Sequence, residues 1–157
     1  MSAERNRAGA KARLVAVAGH VLTDIEVAYT WNIERILRDT LFFGATSGPT
    51  EPQSVGGAEP LTEDEFTIDC NLTVVGHLDA YKAEDAAETH LRTLEATLLA
   101  HPRLLGVHGL DDDPAFAQFR CRIQDVDGPL HSPPQPQQDN TIEAAIFFTV
   151  ACVQNIH

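Results

Sequence analysis

Three segments of the chain carry apolar residues at every second position and predict strands that are buried on one face. In EFTIDCNLTVVG (residues 65–76) every second residue from Phe66 to Val74 is apolar, and the residues between them are polar. Apolar sets with the same period run through FAQFRCRIQDVDG (116–128) and NTIEAAIFFTVACVQNIH (140–157). A period of two places successive side chains on opposite faces of a sheet, so each segment predicts a half-buried strand of an antiparallel sheet.

Two shorter apolar segments near the N-terminus predict further strands, and two polar segments predict long loops. Apolar or aromatic residues recur at period two in IEVAYTWN (25–32), and TLFFGAT (40–46) is a second short run. The segment 44–64 is rich in Gly, Pro, Ser and Thr and predicts a loop. A second loop is predicted at 128–140, GPLHSPPQPQQDN, which contains four prolines. Long loops in compact domains are usually functional or disordered.

Two segments predict helices. The alanine-rich stretch from about Ala3 to His20 is weakly amphipathic, whereas residues 79–101 carry one apolar stripe with spacings of three and four residues. The stripe consists of Ala83, Ala87, Leu91, Leu94 and Leu98. Asp79 is the predicted N-cap of the second helix, and Pro102 ends it because proline disfavours the helical conformation of the residue before it.

The order of these elements predicts the fold class. A helix, two strands, a loop, a strand, a helix and two long strands favour an α+β fold with a mainly antiparallel β-sheet of about four to six strands. The N-terminal helix and the long amphipathic helix are expected to pack on one face of that sheet. At 157 residues the chain is expected to form one domain, 1–157, with long loops at 44–64 and 128–140.

The composition argues against several classes of partner. Eleven Lys and Arg residues against 23 Asp and Glu residues give a formal net charge of −12 at pH 7. Such an acidic chain argues against binding to nucleic-acid phosphates and against docking on anionic membrane surfaces. No apolar run approaches the roughly 18 residues that a membrane-spanning helix needs. The cysteines Cys70, Cys121 and Cys152 are far apart and are expected to be buried thiols in a reducing compartment.

No arrangement of reactive residues in the sequence predicts catalysis or metal binding. Phosphate-binding, dinucleotide-binding, zinc-protease and nucleophile-elbow motifs are missing, and the seven histidines are scattered. His90 lies beside the apolar stripe and is expected on the helix surface. The run DDDP at 111–114 is interpreted as a solvated turn, because calcium-binding loops alternate their ligands with spacer residues. Catalytic, metal-binding and cofactor-binding residues are therefore not expected, and the chain is not expected to be an enzyme.

From about Ala10 to Val153 the chain resembles the phage tail terminator (tail completion) family of long-tailed bacterial viruses. The resemblance rests on the alanine-rich helix, the strand DEFTIDCNLTVVG followed directly by the helix AEDAAETHLRTLEATLLAHPRLLG, and the final pair of long strands. The piece LLAHPRLLG is its most family-like part, since members often carry a short proline–leucine–glycine stretch after that helix. The 44–64 loop matches no family element.

The resemblance implies a structural assembly protein. Members form a hexameric ring on the completed tail tube, stop tube polymerisation and provide the surface that joins the head connector. The implied partners are other copies of the chain, the tail tube protein and the head-completion or connector protein. DNA is expected to pass through the bore without specific binding, and no membrane contact or cofactor is implied. The implied location is the tail or neck of the virion, with assembly in the host cytoplasm.

Two groups of residues are predicted to contact other copies or the tube. Tyr29 and Trp31 are exposed aromatics in this interpretation, although a core role for the single Trp fits the sequence equally well. The second group lies in the proline-rich loop, because polar loops that project beyond a sheet can supply contacts that become ordered only on assembly. Its members are Pro129, Leu130, His131, Pro133 and Pro134.

Three other functions are compatible with the sequence. Another neck or tail-tube protein of the same fold family would share these patterns, but a tube protein polymerises into stacked rings. A small cytoplasmic enzyme or ligand-binding α+β domain would need converging polar groups on the buried face of the sheet, where the sequence places apolar residues. An adaptor that dimerises through an exposed sheet edge is the third.

Overall fold

The computed structural model describes residues 6–30, 38–48, 53–55 and 61–156. These residues form two α-helices and a six-stranded sheet, so the predicted α+β fold class is confirmed. The elements are α1 (Arg7–Val21), β1 (Glu26–Ala28), β2 (Thr40–Ser47), β3 (Gln53–Val55), β4 (Leu61–His77), α2 (Ala80–Ala100), β5 (Arg120–His131) and β6 (Ile142–Ile156).

The sheet has the strand order β1-β2-β4-β6-β5, and the short β3 pairs with β4 beyond the end of β2. Every neighbouring pair is antiparallel except β1 and β2, which run parallel. The long strands β4 and β6 lie in the centre, whereas β1 and β5 form the two edges. The sheet is therefore mainly antiparallel, as predicted, and its two edges come from opposite halves of the chain.

One face of the sheet carries the hydrophobic core. The even-numbered residues of β4 from Phe66 to Val74 and those of β6 from Ile142 to Cys152 are all buried. Residues of both helices, including Leu14 of α1 and Leu94 of α2, belong to the same buried cluster. Both helices therefore pack on this face, and the period-two pattern correctly predicted which side chains they cover.

Helix α2 begins and ends where the sequence predicted. Asp79 is its N-cap, and the Asp79 carboxylate accepts a hydrogen bond from the Lys82 backbone N–H over 3.2 Å. Within the predicted apolar stripe Leu91 is half-buried, and the other residues are buried. His101 is the C-cap and directly precedes Pro102. Residues close in sequence thus set both ends of this helix.

A buried ion pair fixes the start of α1 to the sheet. The Arg7 guanidinium donates hydrogen bonds to both carboxylate oxygens of Asp64 in β4, over 2.6 and 2.9 Å. Gln154 of β6 donates another hydrogen bond to Asp64 over 3.0 Å, and the Asp64 side chain is only 1% exposed. The hydrogen bond to Asp64 raises the pKa of Arg7. This carboxylate therefore joins α1, β4 and β6.

Two predictions in the N-terminal half need correction. The strand predicted at 25–32 is β1, and it covers only Glu26–Ala28. Trp31 lies outside the described residues. Within the segment predicted as a loop at 44–64, β2 extends to Ser47, Gln53–Val55 form β3, and β4 begins at Leu61. Pairing with β4 outweighs the turn-like composition of these residues, since strand formation depends strongly on the neighbouring strand.

Strand β5 also takes up part of a predicted loop. It runs to His131, so the loop predicted at 128–140 begins at Ser132. Two bulges in β5 accommodate additional residues opposite β6, and Gly128 adopts a φ of 109°, which favours glycine. Pro129 is compatible with a strand here because β5 lies at an edge, where one side of the backbone needs no ladder partner.

The connection from β5 to β6 has its own hydrogen bonds. It contains a 3-10 turn at Pro136–Gln138 and an isolated bridge between Gln135 and Thr141. Ser132 Oγ accepts hydrogen bonds from the Glu143 backbone N–H over 3.1 Å and from the Gln135 side chain over 3.2 Å. The loop is thus structured within the single chain, contrary to the expectation that it becomes ordered only on assembly.

Candidate interaction surface

The face of the sheet that points away from the core is the candidate interaction surface. It carries the odd-numbered residues of β4 and β6, and neither described helix packs on it. Near β2 this face is closed, because Phe42, Asn71 and Thr73 are buried. Towards β5 it is open, with Phe147 of β6 45% exposed and Leu130 of β5 56% exposed. Exposed apolar side chains that lie together mark contact surfaces.

The first predicted interface group lies at the β1 edge of the sheet. Tyr29 directly follows β1 and is 40% exposed. The Lys11 ammonium of α1 lies 4.0 Å from the centroid of the Tyr29 ring, which is a favourable cation–π distance. Burial lowers the pKa of Lys11. The lysine therefore holds the Tyr29 ring in place while part of that ring faces solvent.

The second predicted group lies at the opposite edge. Three of its members, Pro129, Leu130 and His131, belong to β5, and the exposed Pro133 and Pro134 follow in the loop. His131 Nδ1 lies 3.4 Å from Glu84 Oε1, which ties this end of β5 to α2. The structure thus brings the second group together and places it across the sheet from Tyr29.

Other exposed apolar residues were not predicted from the sequence: Leu78, Tyr81, Leu99, Val126 and Phe147. Phe147 occupies an odd position of β6, next to the buried Phe148, so the period of two was the signal that assigns it to the open face. Tyr81 falls outside the apolar stripe of α2, one turn before Glu84, and is 74% exposed. Val126 lies beside a bulge of β5. The bulge interrupts the alternation of side chains, so the sequence pattern does not assign Val126 to either face of the sheet.

The three thiols are buried in the core, as predicted. Burial raises the pKa of Cys121 to about 12, and it raises the pKa of Cys70 and Cys152 as well. A thiolate is the nucleophilic and metal-binding form of cysteine, so these environments disfavour that chemistry. Their place in the sheet explains them as small apolar core residues.

Asp39 forms a second polar junction, between β4, α2 and β1. Its Oδ1 accepts a hydrogen bond from the Val75 backbone N–H over 2.9 Å, its Oδ2 lies 3.7 Å from His90 Nε2, and its backbone carbonyl accepts one from Glu26. Burial raises the pKa of Asp39, but the interactions with His90 and Val75 outweigh burial and lower it below its ordinary value. His90, which was expected on the helix surface, is of intermediate burial, with 18% of its side chain exposed.

The acidic turn after α2 uses its carboxylates to cap the backbone. Asp112 accepts a hydrogen bond from the Gly106 N–H over 2.7 Å, and Asp113 accepts one from the Ala115 N–H over 2.9 Å. Within the described ranges, no group of three or more His, Cys, Asp or Glu side chains is placed to hold a metal ion. No helix in the described part of the chain is long and apolar enough to cross a membrane.

No protein-family model matches this sequence, and no curated protein matches it either. The proposed function therefore depends on where the exposed residues lie on the sheet and on the resemblance described above.

Proposed function

We propose that the protein is a structural virion assembly protein that caps the completed tail tube of a long-tailed phage as a ring, a hexamer in its full form. It stops polymerisation of the tube, provides the joining surface for the head connector and catalyses no reaction. Its location is the tail or neck of the virion after assembly in the host cytoplasm. The observation that carries this proposal is the presence of exposed apolar residues at both edges of one sheet.

A closed ring needs two different surfaces on each copy, because neighbouring copies meet head to tail. One row of paired residues crosses the sheet from edge to edge: Ala28, Phe42, Asn71, Phe147 and Asp127. Tyr29 directly follows this row at the β1 edge, and Val126 directly precedes it at the β5 edge. A junction that brings Tyr29 of one copy against Val126 and Leu130 of the next would cover both exposed patches.

The charge of the chain suits this role. Copies that each carry a net charge of −12 repel DNA phosphates and do not retain them. DNA then passes through without specific binding, whereas the apolar edges are free to contact other copies, the tail tube protein and the connector.

The head-to-tail junction is tested by changing one edge at a time. Tyr29→Ser and Leu130→Ser are each expected to abolish rings in native mass spectrometry, because each removes one half of every junction. A mixture of the two variants is expected to form pairs of copies without rings, since only one intact junction can form between them. Leu99→Ser is the control, because Leu99 is 74% exposed and belongs to α2, outside both edge strands. Rings in either edge variant, or complete rings in the mixture, would contradict the junction.

The tube-capping role is tested with the cognate tail tube protein. Wild-type protein is expected to shorten growing tubes and to appear at one end of each in electron microscopy. If it polymerises into tubes by itself, the alternative of a tail-tube protein is correct. If it forms no ring and leaves tube growth unchanged, the proposed function is wrong.

A further inference from the structure

A groove of about 720 Å³ crosses the face of the sheet that points away from the core, near the end of β2 and the start of β5. One row of paired residues forms its floor: Ser47, Thr67, Ala151 and Arg122. Cavities of this size are typical of ligand sites. The groove lies at the other end of the strands from Leu130, so it is separate from the proposed junction between copies.

The floor of the groove allows a chain to approach the sheet closely. Three of its four residues are small, and two of them, Ser47 and Thr67, carry hydroxyl groups. Gly48, which follows Ser47, lies so close to β4 that a Cβ atom there would be 2.5 Å from the Glu65 carbonyl oxygen. This close packing holds the backbone at the end of β2 against the backbone of β4. An occupant can therefore bring its backbone against these hydroxyl groups. The Thr67 hydroxyl donates to the Ser47 carbonyl over 3.5 Å and can accept a hydrogen bond, whereas the Ser47 hydroxyl can donate and accept.

The β5 side of the groove carries two arginines. Arg120 and Arg122 are two residues apart and point to the same face, and the Arg120 side chain is 63% exposed. Arg120 Nη2 lies 3.9 Å from Glu63, and Arg122 forms no ion pair with any residue in the described ranges. Most other arginines of the described chain have carboxylate or carbonyl partners, as Arg7, Arg38 and Arg92 do. An exposed guanidinium beside a groove fits an anionic ligand.

We propose that this groove binds an extended acidic peptide segment of a partner protein, with Arg122 and Arg120 holding its carboxylates. A guanidinium matches a carboxylate with two parallel hydrogen bonds, and the hydroxyl groups of the floor match a peptide backbone. Nucleic acid fits less well, because Glu65 lines the groove and Asp69 is exposed on the same face. Both carboxylates would repel a continuous line of phosphates, whereas a peptide can place its carboxylates beside the two arginines. The site does not depend on ring formation.

The test uses a fluorescein-labelled peptide of alternating glutamate and alanine, with fluorescence anisotropy as the measurement. Arg122→Glu is expected to weaken binding by at least about tenfold, because it replaces a charge-assisted contact with a repulsive one. Lys82→Glu makes the same change in net charge on the exposed start of α2 and is expected to stay within about twofold of wild type. A peptide with glutamine in place of glutamate is expected not to bind.

The location of binding is checked by amide chemical shifts of the ¹⁵N-labelled protein. Shifts on peptide addition are expected at Ser47, Thr67 and Ala151, and a dispersed spectrum of Arg122→Glu shows that the variant is folded. Equal losses of peptide affinity in Arg122→Glu and Lys82→Glu would overturn the proposal. Amide chemical-shift changes confined to another surface would also overturn it. An oligonucleotide of equal charge that binds as tightly as the peptide would also overturn it. If the protein self-associates without peptide and Arg122→Glu abolishes this self-association, the occupant of the groove is instead a second copy of the chain.

Discussion

The carboxylate of Asp64 holds the N-terminal helix on the sheet, and its removal is expected to weaken the whole fold. Asp64→Ala takes away the carboxylate that neutralises Arg7, whose side chain is only 16% exposed. The change removes the two hydrogen bonds from Arg7 and the one from Gln154, and we expect a loss of about 3 kcal/mol in the free energy of unfolding. Urea unfolding followed by circular dichroism measures it.

Asp69→Ala is the matched control for this change. Asp69 lies on the same strand as Asp64 but is exposed on the opposite face. We expect the control to unfold within about 0.5 kcal/mol of wild type. Equal losses of unfolding free energy in Asp64→Ala and Asp69→Ala would show that the contacts of Asp64 stabilise the fold no more than an exposed carboxylate does.

The lowered pKa of Asp39 gives a second prediction, on the pH dependence of stability. Because the folded pKa lies below the unfolded value, the Asp39 carboxylate stabilises the fold above that unfolded value and loses this effect as the pH falls through the folded pKa. Between about pH 5 and pH 2.5 the melting temperature of wild type should therefore fall more steeply than that of Asp39→Asn. Parallel melting curves for the two proteins would contradict the assignment.

These two carboxylates also show what a local pattern cannot predict. The alternation in β4 and β6 predicted the buried side chains because it depends only on neighbouring residues. Asp64 fell inside the predicted loop 44–64, and its partner Arg7 lies 57 residues away along the chain. Asp39 likewise meets His90 only after α2 has packed on the sheet. Pairings between distant segments leave no signal in the residues around them.

At the scale of elements, α2 depends on its N-cap. Asp79→Ala removes the side chain that accepts a hydrogen bond from the Lys82 N–H, and we expect a loss of about 1 kcal/mol in the free energy of unfolding. Asp79→Asn keeps the acceptor and should lose only a few tenths of that amount. Thermal unfolding of both variants measures the difference. If alanine and asparagine were equivalent here, the capping hydrogen bond would contribute nothing.

The elements differ in how far the sequence could predict them. Helix α2 was predicted in full, because its cap, its stripe and the proline that ends it are all close in sequence. The end of β5 was predicted as a loop, because Gly128 and Pro129 are typical turn residues. Leu130 and His131 nevertheless pair with Ala145 and Ala144 of β6. The partner strand decided the structure of this segment, and bulges accommodated the residues that fit a strand poorly.

At the scale of the whole molecule, the candidate surface depends on strand order. Tyr29 and Leu130 could be selected from the sequence, but not their positions at opposite edges of one sheet. The order β1-β2-β4-β6-β5 brings Phe147 of β6 next to β5, which carries Val126 and Leu130, and leaves Tyr29 at the far edge. Exposure likewise depends on which faces the helices cover, and a single chain segment does not contain that information.

Net charge and apolar edges together predict how salt affects assembly. Copies that each carry −12 repel one another, and raising the salt from about 20 to 300 mM shortens the screening length to less than 10 Å. If Tyr29 and Leu130 form an apolar junction, salt should therefore strengthen ring formation, measured by light scattering at a fixed protein concentration. Rings that dissociate as salt rises would show that ion pairs, and not the apolar edges, hold the copies together.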